Sequence, residues 1–250
     1  MESTEQTTRP GRAEASRPLL LAPLLIEQRA LLRGGATTVL RSGMGETKSL
    51  VFARQLADGR TPAAVVVAGM GAGMRGLLPG DLVVATEVRH PDGSVYACPW
   101  ADSLAASLGE ALGPGSVRIH TGPVATVRKL VRTAERGPLA EAGVVAADME
   151  SAFLLGGLAG RAGQPGCPWA VVRVVSDAPG HELMRPGIVR NGLRAYRSLK
   201  ASGRALSAWI EEVSGGPGAD SVPLPQPGGP GEADLGAAGG TAREQDGGGR

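Results

Sequence analysis

The chain has 250 residues, 42% of them apolar and 20% charged, with a formal net charge of +2. That balance is ordinary for a globular protein with a sizeable core. Its Lys and Arg are scattered rather than gathered into a stripe, which argues against nucleic acid as a partner. No stretch reaches the roughly 20 apolar residues of a membrane span, and the two cysteines, Cys98 and Cys167, lack the spacing of a disulfide framework or a zinc site.

Residues 1–17 are polar and without periodicity, so they are expected to be disordered. "RPLLLAPLLIEQ" has the minimum apolar length of a signal peptide. Glu2, Glu5 and Glu14 precede it, however, and no small-x-small cleavage site follows. It reads as a buried strand leading into a turn, "EQRALLRG" as the helix or turn after it, and the protein as cytoplasmic. "TTVLRSG" predicts a strand and "ETKSLVFARQLADG" a helix, with Leu50, Val51, Ala53 and Leu56 near helical spacing. "AAVVVAGM" is an apolar strand running into glycines, read as a tight turn over 69–76, and "GDLVVATEVR" is a further strand. In "WADSLAASLGEALG", Leu104, Leu108 and Leu112 recur every four residues, with Asp102 or Ser103 as the expected N-cap. "VRIHTGPVAT" predicts a strand, "TVRKLVRTAERGPLAEAG" one or two helices, "GVVAADM" a strand, "ESAFLLGGLAGRAG" a helix and "PWAVVRVVSDAPG" a buried strand. A long helix from "GIVRNGLRAY" to "SAWIEEV" closes the domain. The Gly- and Pro-rich tail 214–250 has too little apolar matter to offset its ordering entropy. One domain, 18–213, is therefore expected: a three-layer α/β/α sandwich around a mixed, largely parallel sheet.

Two glycine motifs fail on inspection. "SGMGETKS" places Ser42 and Thr47 where a phosphate-binding P-loop needs glycine. "GMGAGMRG" is followed too soon by Pro79 and a new strand to open a dinucleotide-binding helix. More telling are three carboxylates at apolar strand ends: Glu27, Glu150 and Asp177. Each alone could be a cap or first-turn residue. In α/β folds, however, ligands sit at the carboxyl ends of strands, and Arg173 shares a strand with Ser176-Asp177.

"VVAADMESAFLL" followed by "PWAVVRVVSDAPG" resembles the nucleoside phosphorylase and nucleosidase superfamily, whose members show an acidic-Met-Glu-[AS] segment and then Arg-x-x-Ser-Asp. "APLLIEQRAL", "RSGMG" and "VVVAGMGAGMRGLLPGDLVVATEV" resemble that family's first strand and its two glycine segments, in order, over residues 18 to 212. The resemblance implies roles. Asp177 would donate a proton or hydrogen bond to purine N7, steadied by Ser176. Glu150 would bind the ribose 2′ and 3′ hydroxyls with Met149 against the sugar. Glu27 would activate a water that Arg173 helps to hold. Backbone near Gly43 and at Gly69, Met70 and Gly71, on to Gly73, would line the sugar or phosphate side. Cleaving an N-glycosidic bond builds positive charge on the ribose, which buried carboxylates stabilise, and leaves a purine that needs a proton. No metal or cofactor is called for, and homo-oligomers are common in the family.

The sequence departs from that pattern in two places. Met70 stands where methylthioadenosine hydrolases carry serine, and no aromatic follows "TGPVAT" to stack on the base. The site words together most resemble the hopanoid-associated members, which release adenine from adenosylhopane. Met70, Met74, Leu77 and Leu78 are then either an apolar entrance for a large 5′ group or core packing. Methylthioadenosine/adenosylhomocysteine or futalosine hydrolysis are the alternatives, as is a non-catalytic nucleoside-binding protein. Attack by phosphate instead of water would draw on Arg41 and Arg75.

Overall fold

Strands of two to nine residues are interspersed with helices along the chain, in a computed structural model that describes residues 17–57, 62–74, 76–162, 167–180 and 188–215. The strands are β1 (Leu19–Ala22), β2 (Leu40–Arg41), β3 (Val65–Gly73), β4 (Leu82–Arg89), β5 (Val95–Ala97), β6 (Ile119–Thr126), β7 (Ala146–Asp148) and β8 (Trp169–Asp177). The helices are α1 (Leu25–Arg33), α2 (Gly45–Ala57), α3 (Ala101–Leu112), α4 (Thr133–Glu141), α5 (Ser151–Ala162) and α6 (Ile188–Gly215).

The sheet is mixed and mostly parallel. β2, β1, β3 and β8 run parallel to one another. β4 then pairs antiparallel with β8 and β5 and parallel with β6. The short β7 lies parallel to β6 and antiparallel to the last two residues of β3. Side chains alternate across this sheet, as the pleat requires. Leu20, Ala22, Val66, Ala68, Val172 and Val174 pack with α1, α3 and α6 through Leu31, Leu104, Leu199 and Trp209. Leu21, Val65, Val67, Val171 and Val175 pack with α5 through Leu154, Leu155 and Leu158, and with Phe52 of α2. Both faces of the central strands are thus covered, so they read as unbroken apolar runs. The sandwich expected from the sequence is the one observed.

Local differences have local causes. The first strand ends at Ala22 rather than continuing through "PLLI", because Pro23 has no amide to donate to a ladder and Leu25 begins α1. Helix α3 is flanked by Trp100, with no side-chain cap; Asp102 lies in its first turn, and Ser103 accepts a hydrogen bond from Trp209 Nε1 at 3.1 Å. Gly69–Gly73 is strand, not a tight turn. Both cysteines are buried and free, their thiols pushed up by burial to about 12 for Cys98 and about 11 for Cys167. The segments expected to be disordered, 1–17 and 214–250, lie almost wholly outside the described residues.

Candidate active site

The sequence-predicted acidic residues arrive at one place from three directions. Glu27 is the third residue of α1, at 2% exposure. Its Oε2 accepts the Leu24 amide at 2.7 Å, the backward half of a capping box, and its Oε1 accepts the Met70 amide of β3, also at 2.7 Å. A carboxylate with two amide donors would ordinarily stay easily ionised. Burial outweighs them here, and the Glu27 pKa is pushed up to about 7, with Arg173 partly opposing the rise. A group poised near neutrality is what acid–base work requires.

Arg173 stands behind Glu27 in the middle of β8, fully buried. Its Nε donates to Asp148 Oδ2 at 2.7 Å and its Nη2 to Ser151 Oγ at 2.7 Å. Its Nη1 has no hydrogen-bond partner among the described residues. Gly69 explains why this guanidinium can sit so close to Glu27. A Cβ there would stand 2.5 Å from Arg173 Nη1 and 3.0 Å from Glu27 Oε1. The guanidinium and the carboxylate fill the space that a side chain would need, so a buried donor without a partner and a carboxylate of raised pKa meet over Gly69, a pairing of the kind acid–base chemistry uses.

Asp148, to which sequence reasoning assigns no role, is the hub of the site. Burial alone would raise its pKa, but Arg173 and the hydroxyls of Ser151 and Thr126 outweigh burial and hold it below the usual carboxylate range. Besides Arg173, its Oδ1 accepts the Thr126 hydroxyl at 2.7 Å and the amides of Glu150 and Ser151 at 3.1 and 3.2 Å. It therefore fixes the β7-to-α5 turn that presents Met149 and Glu150. Glu150 accepts the Gly45 amide at 3.0 Å on Oε1 and its neighbour's amide at 3.3 Å on Oε2. Its pKa is raised by burial, with Arg173 pulling the other way.

Asp177 ends β8. Its Oδ1 lies 2.9 Å from the Ser176 hydroxyl, which is also 3.2 Å from the Gly71 carbonyl. Its Oδ2 pairs with Arg136 of α4, also buried. Sequence reasoning missed Arg136. It sits in a polar stretch, "TAERG", that reads as a solvated helix, and no local spacing ties it to a strand end forty residues away.

These groups share a cavity of about 270 Å³, whose walls include Glu27, Glu150, Ser176 and Asp177, with Asp148 and Met149 beside them. Met70, Gly71 and Ala72 supply the β3 wall; Val127, Leu130 and Val131 supply an apolar wall where an aromatic was absent from the sequence. Gly43 lines not this cavity but an adjoining one of about 640 Å³, which shares Pro23, Leu24 and Met44 with it and also includes Arg41. Gly69 acts behind the wall, through the space it leaves. Of the four residues considered for an apolar entrance, Met70 lines the cavity, Met74 and Leu77 are core, and Leu78 is exposed. Arg75 lies outside the described residues.

The chain is 31% identical over 174 residues to the 5′-methylthioadenosine/S-adenosylhomocysteine nucleosidase of Chromohalobacter salexigens, an overlap covering 60% of this chain and 71% of that one. It is 28% identical over 165 residues to the same-named protein of an Exiguobacterium species, covering 58% and 68%. Among solved structures it is similar in fold to the Neisseria meningitidis nucleosidase in complex with methylthio-immucillin-A. There the TM-score is 0.62 at 16% identity, covering 77% of this chain and 99% of that one. The Borrelia burgdorferi structure bound to adenine gives 0.62 at 13% identity, covering 76% and 99%. Residues 28–210, a span that holds all of the acidic cluster except Glu27 one position before it, match the sequence model of the phosphorylase superfamily, and the chain belongs to that family.

Proposed function

We propose that the protein cleaves the N-glycosidic bond of a purine nucleoside with a 5′-thioether substituent, of the methylthioadenosine/adenosylhomocysteine class, releasing adenine by attack of water on ribose C1′. One observation carries the reading: Glu27, Glu150 and Asp177 border a single cavity, with Arg173 lodged behind Glu27. In this reading, Glu27 takes a proton from a water held beside Arg173 Nη1. Glu150 accepts hydrogen bonds from the ribose hydroxyls, and Met149 covers the sugar. Asp177, steadied by Ser176, supplies the proton that the departing purine needs at N7. Positive charge that builds on the ribose is met by carboxylates that water does not screen.

The relatives' names favour the thioether nucleosides over adenosylhopane, and the burial of Met74 and Leu77 removes two of the four residues considered for a hydrocarbon entrance. The adjoining cavity gives room for the 5′ substituent. Leu24, Met44 and Val51 suit a thioether chain, and Arg41 and Lys48 suit the carboxylate of an amino-acid end. The test is to incubate the purified protein with methylthioadenosine, adenosylhomocysteine, adenosine, futalosine and adenosylhopane, with and without phosphate, and to measure released base and sugar product. Adenine with free ribose products, independent of phosphate, is expected from the first two. Ribose 1-phosphate products would replace hydrolysis by phosphorolysis, preferential turnover of adenosylhopane would overturn the substrate class, and no release from any of them would make the chain a nucleoside-binding protein.

A further inference from the structure

Strand β8 leaves its register with β3 at the site. Gly71 faces Val175, but Ala72 faces Asp177, so Ser176 is the extra residue of a β-bulge. Bulges re-aim side chains, and this one turns both Ser176 and Asp177 to the cavity. A bulge at a strand end is soft unless something fastens it. Arg136 reaches in from α4 with one Nη1 on the Gly73 carbonyl, at the end of β3, and 3.5 Å from the Asp177 carbonyl, at the end of β8; its Nη2 pairs with Asp177 Oδ2. One planar guanidinium thus joins both strand ends and the carboxylate itself. The side chain is buried at 4% exposure, so the fork is held away from competing water.

We infer that Arg136 is a positioning residue for the proton transfer to the leaving base. It occupies Oδ2 of Asp177 and fastens the bulge, so that Oδ1, beside the Ser176 hydroxyl, is the oxygen that meets the purine. The inference rests on the functional reading above. In the reaction the C1′–N9 bond breaks and its electron pair stays on the purine. N7 takes the proton from Asp177, water adds its oxygen to C1′, and Glu27 takes the water's proton. The proton leaves from Oδ1, having come from solvent, while Oδ2 stays on Arg136 throughout, so the guanidinium stabilises the carboxylate that the transfer leaves and holds its geometry.

The experiment compares wild type with Arg136→Met and Arg136→Lys on two substrates. Methylthioadenosine needs a proton on its leaving group, whereas 4-nitrophenyl β-D-riboside has a leaving group that departs as the anion. Arg136→Met is expected to slow the turnover step of adenine release by about 10² or more, the usual scale for lost acid catalysis, while KM changes by less than about threefold. Its loss on the nitrophenyl riboside is expected to be at least about tenfold smaller. Arg136→Lys, which keeps a charge but not the fork, is expected to recover part of the activity. Equal losses on both substrates would make Arg136 a merely structural residue, and undiminished adenine release would leave it without any role; either result overturns the inference. If Arg136→Met does not fold, the ratio between substrates is read on Arg136→Lys. Absence of adenine release by the wild-type protein would instead overturn the functional reading, and this inference with it.

Discussion

Glu27 accepts two backbone amides and still titrates near pH 7, because burial dominates. In the proposed role of taking water's proton it must be ionised, so kcat/KM is expected to rise with pH through about 7 and level off above it. A pH–rate profile on methylthioadenosine measures this, and Glu27→Gln is expected to lose the rise together with at least about 10² of activity. The same group makes stability depend on pH. Folded Glu27 keeps its proton up to about pH 7, whereas the unfolded residue releases it near 4.5. Between those values the folded chain binds more protons, so stability falls as pH rises across that window and stays lower above it. The effect is on the order of 3 kcal/mol. The melting temperature of Glu27→Gln relative to wild type is therefore expected to be higher at pH 8 than at pH 5. Asp177→Asn keeps the shape but loses the acid, and adenine release should drop by about 10² or more; unchanged turnover would remove Asp177 from the reaction.

Strand β3 shows how an element can be legible in kind and hidden in purpose. Its apolar half, "AAVVVA", reads directly as a buried strand, but "GMGAG" reads as a turn because glycine is the commonest residue of turns. In the fold these glycines are strand positions kept bare by their neighbours. A Cβ on Gly71 would stand 2.8 Å from the Ala147 carbonyl, and one on Gly73 would stand 2.8 Å from Val175. Gly69→Ala would press a methyl between Arg173 and Glu27, neither of which is free to move. Turnover is expected to slow by about 10² or more, with a loss of about 1–3 kcal/mol in stability, measured by steady-state kinetics and denaturant unfolding. The Arg-x-x-Ser-Asp run of β8 and the Asp-Met-Glu run that begins at the end of β7 were legible as site words because their spacing is local. The Asp148–Arg173 and Arg136–Asp177 pairs were not, since they join residues 25 and 41 positions apart; β7 and β8 meet through their shared partner β3, and α4 brings Arg136 to the strand ends.

At the scale of the molecule, the helix that carries Glu27 is seated by the long closing helix. Gly203 of α6 lies against α1 so closely that a Cβ there would be 2.4 Å from the Leu31 carbonyl, and a Cβ on Gly34 would overlap the Lys200 carbonyl. Backbone meets backbone at that crossing, so Gly203→Val must push α1 and Glu27 out of place. The variant is expected to unfold at lower denaturant and to lose activity although residue 203 is remote from the cavity; undiminished turnover would show that α1 is anchored elsewhere. The amino-acid sequence by itself determined the succession of strands and helices, the two-sided burial of the sheet and the candidacy of Glu27, Glu150, Arg173 and Asp177, because periodicity and short motifs are properties of neighbouring residues. Tertiary structure alone decided that Asp148 braces Arg173, that Arg136 clasps Asp177 and that the bare backbone of Gly69 gives Arg173 and Glu27 room to meet. Those relations depend on which strands and helices lie side by side, and a long-range contact leaves no trace in the local order of residues.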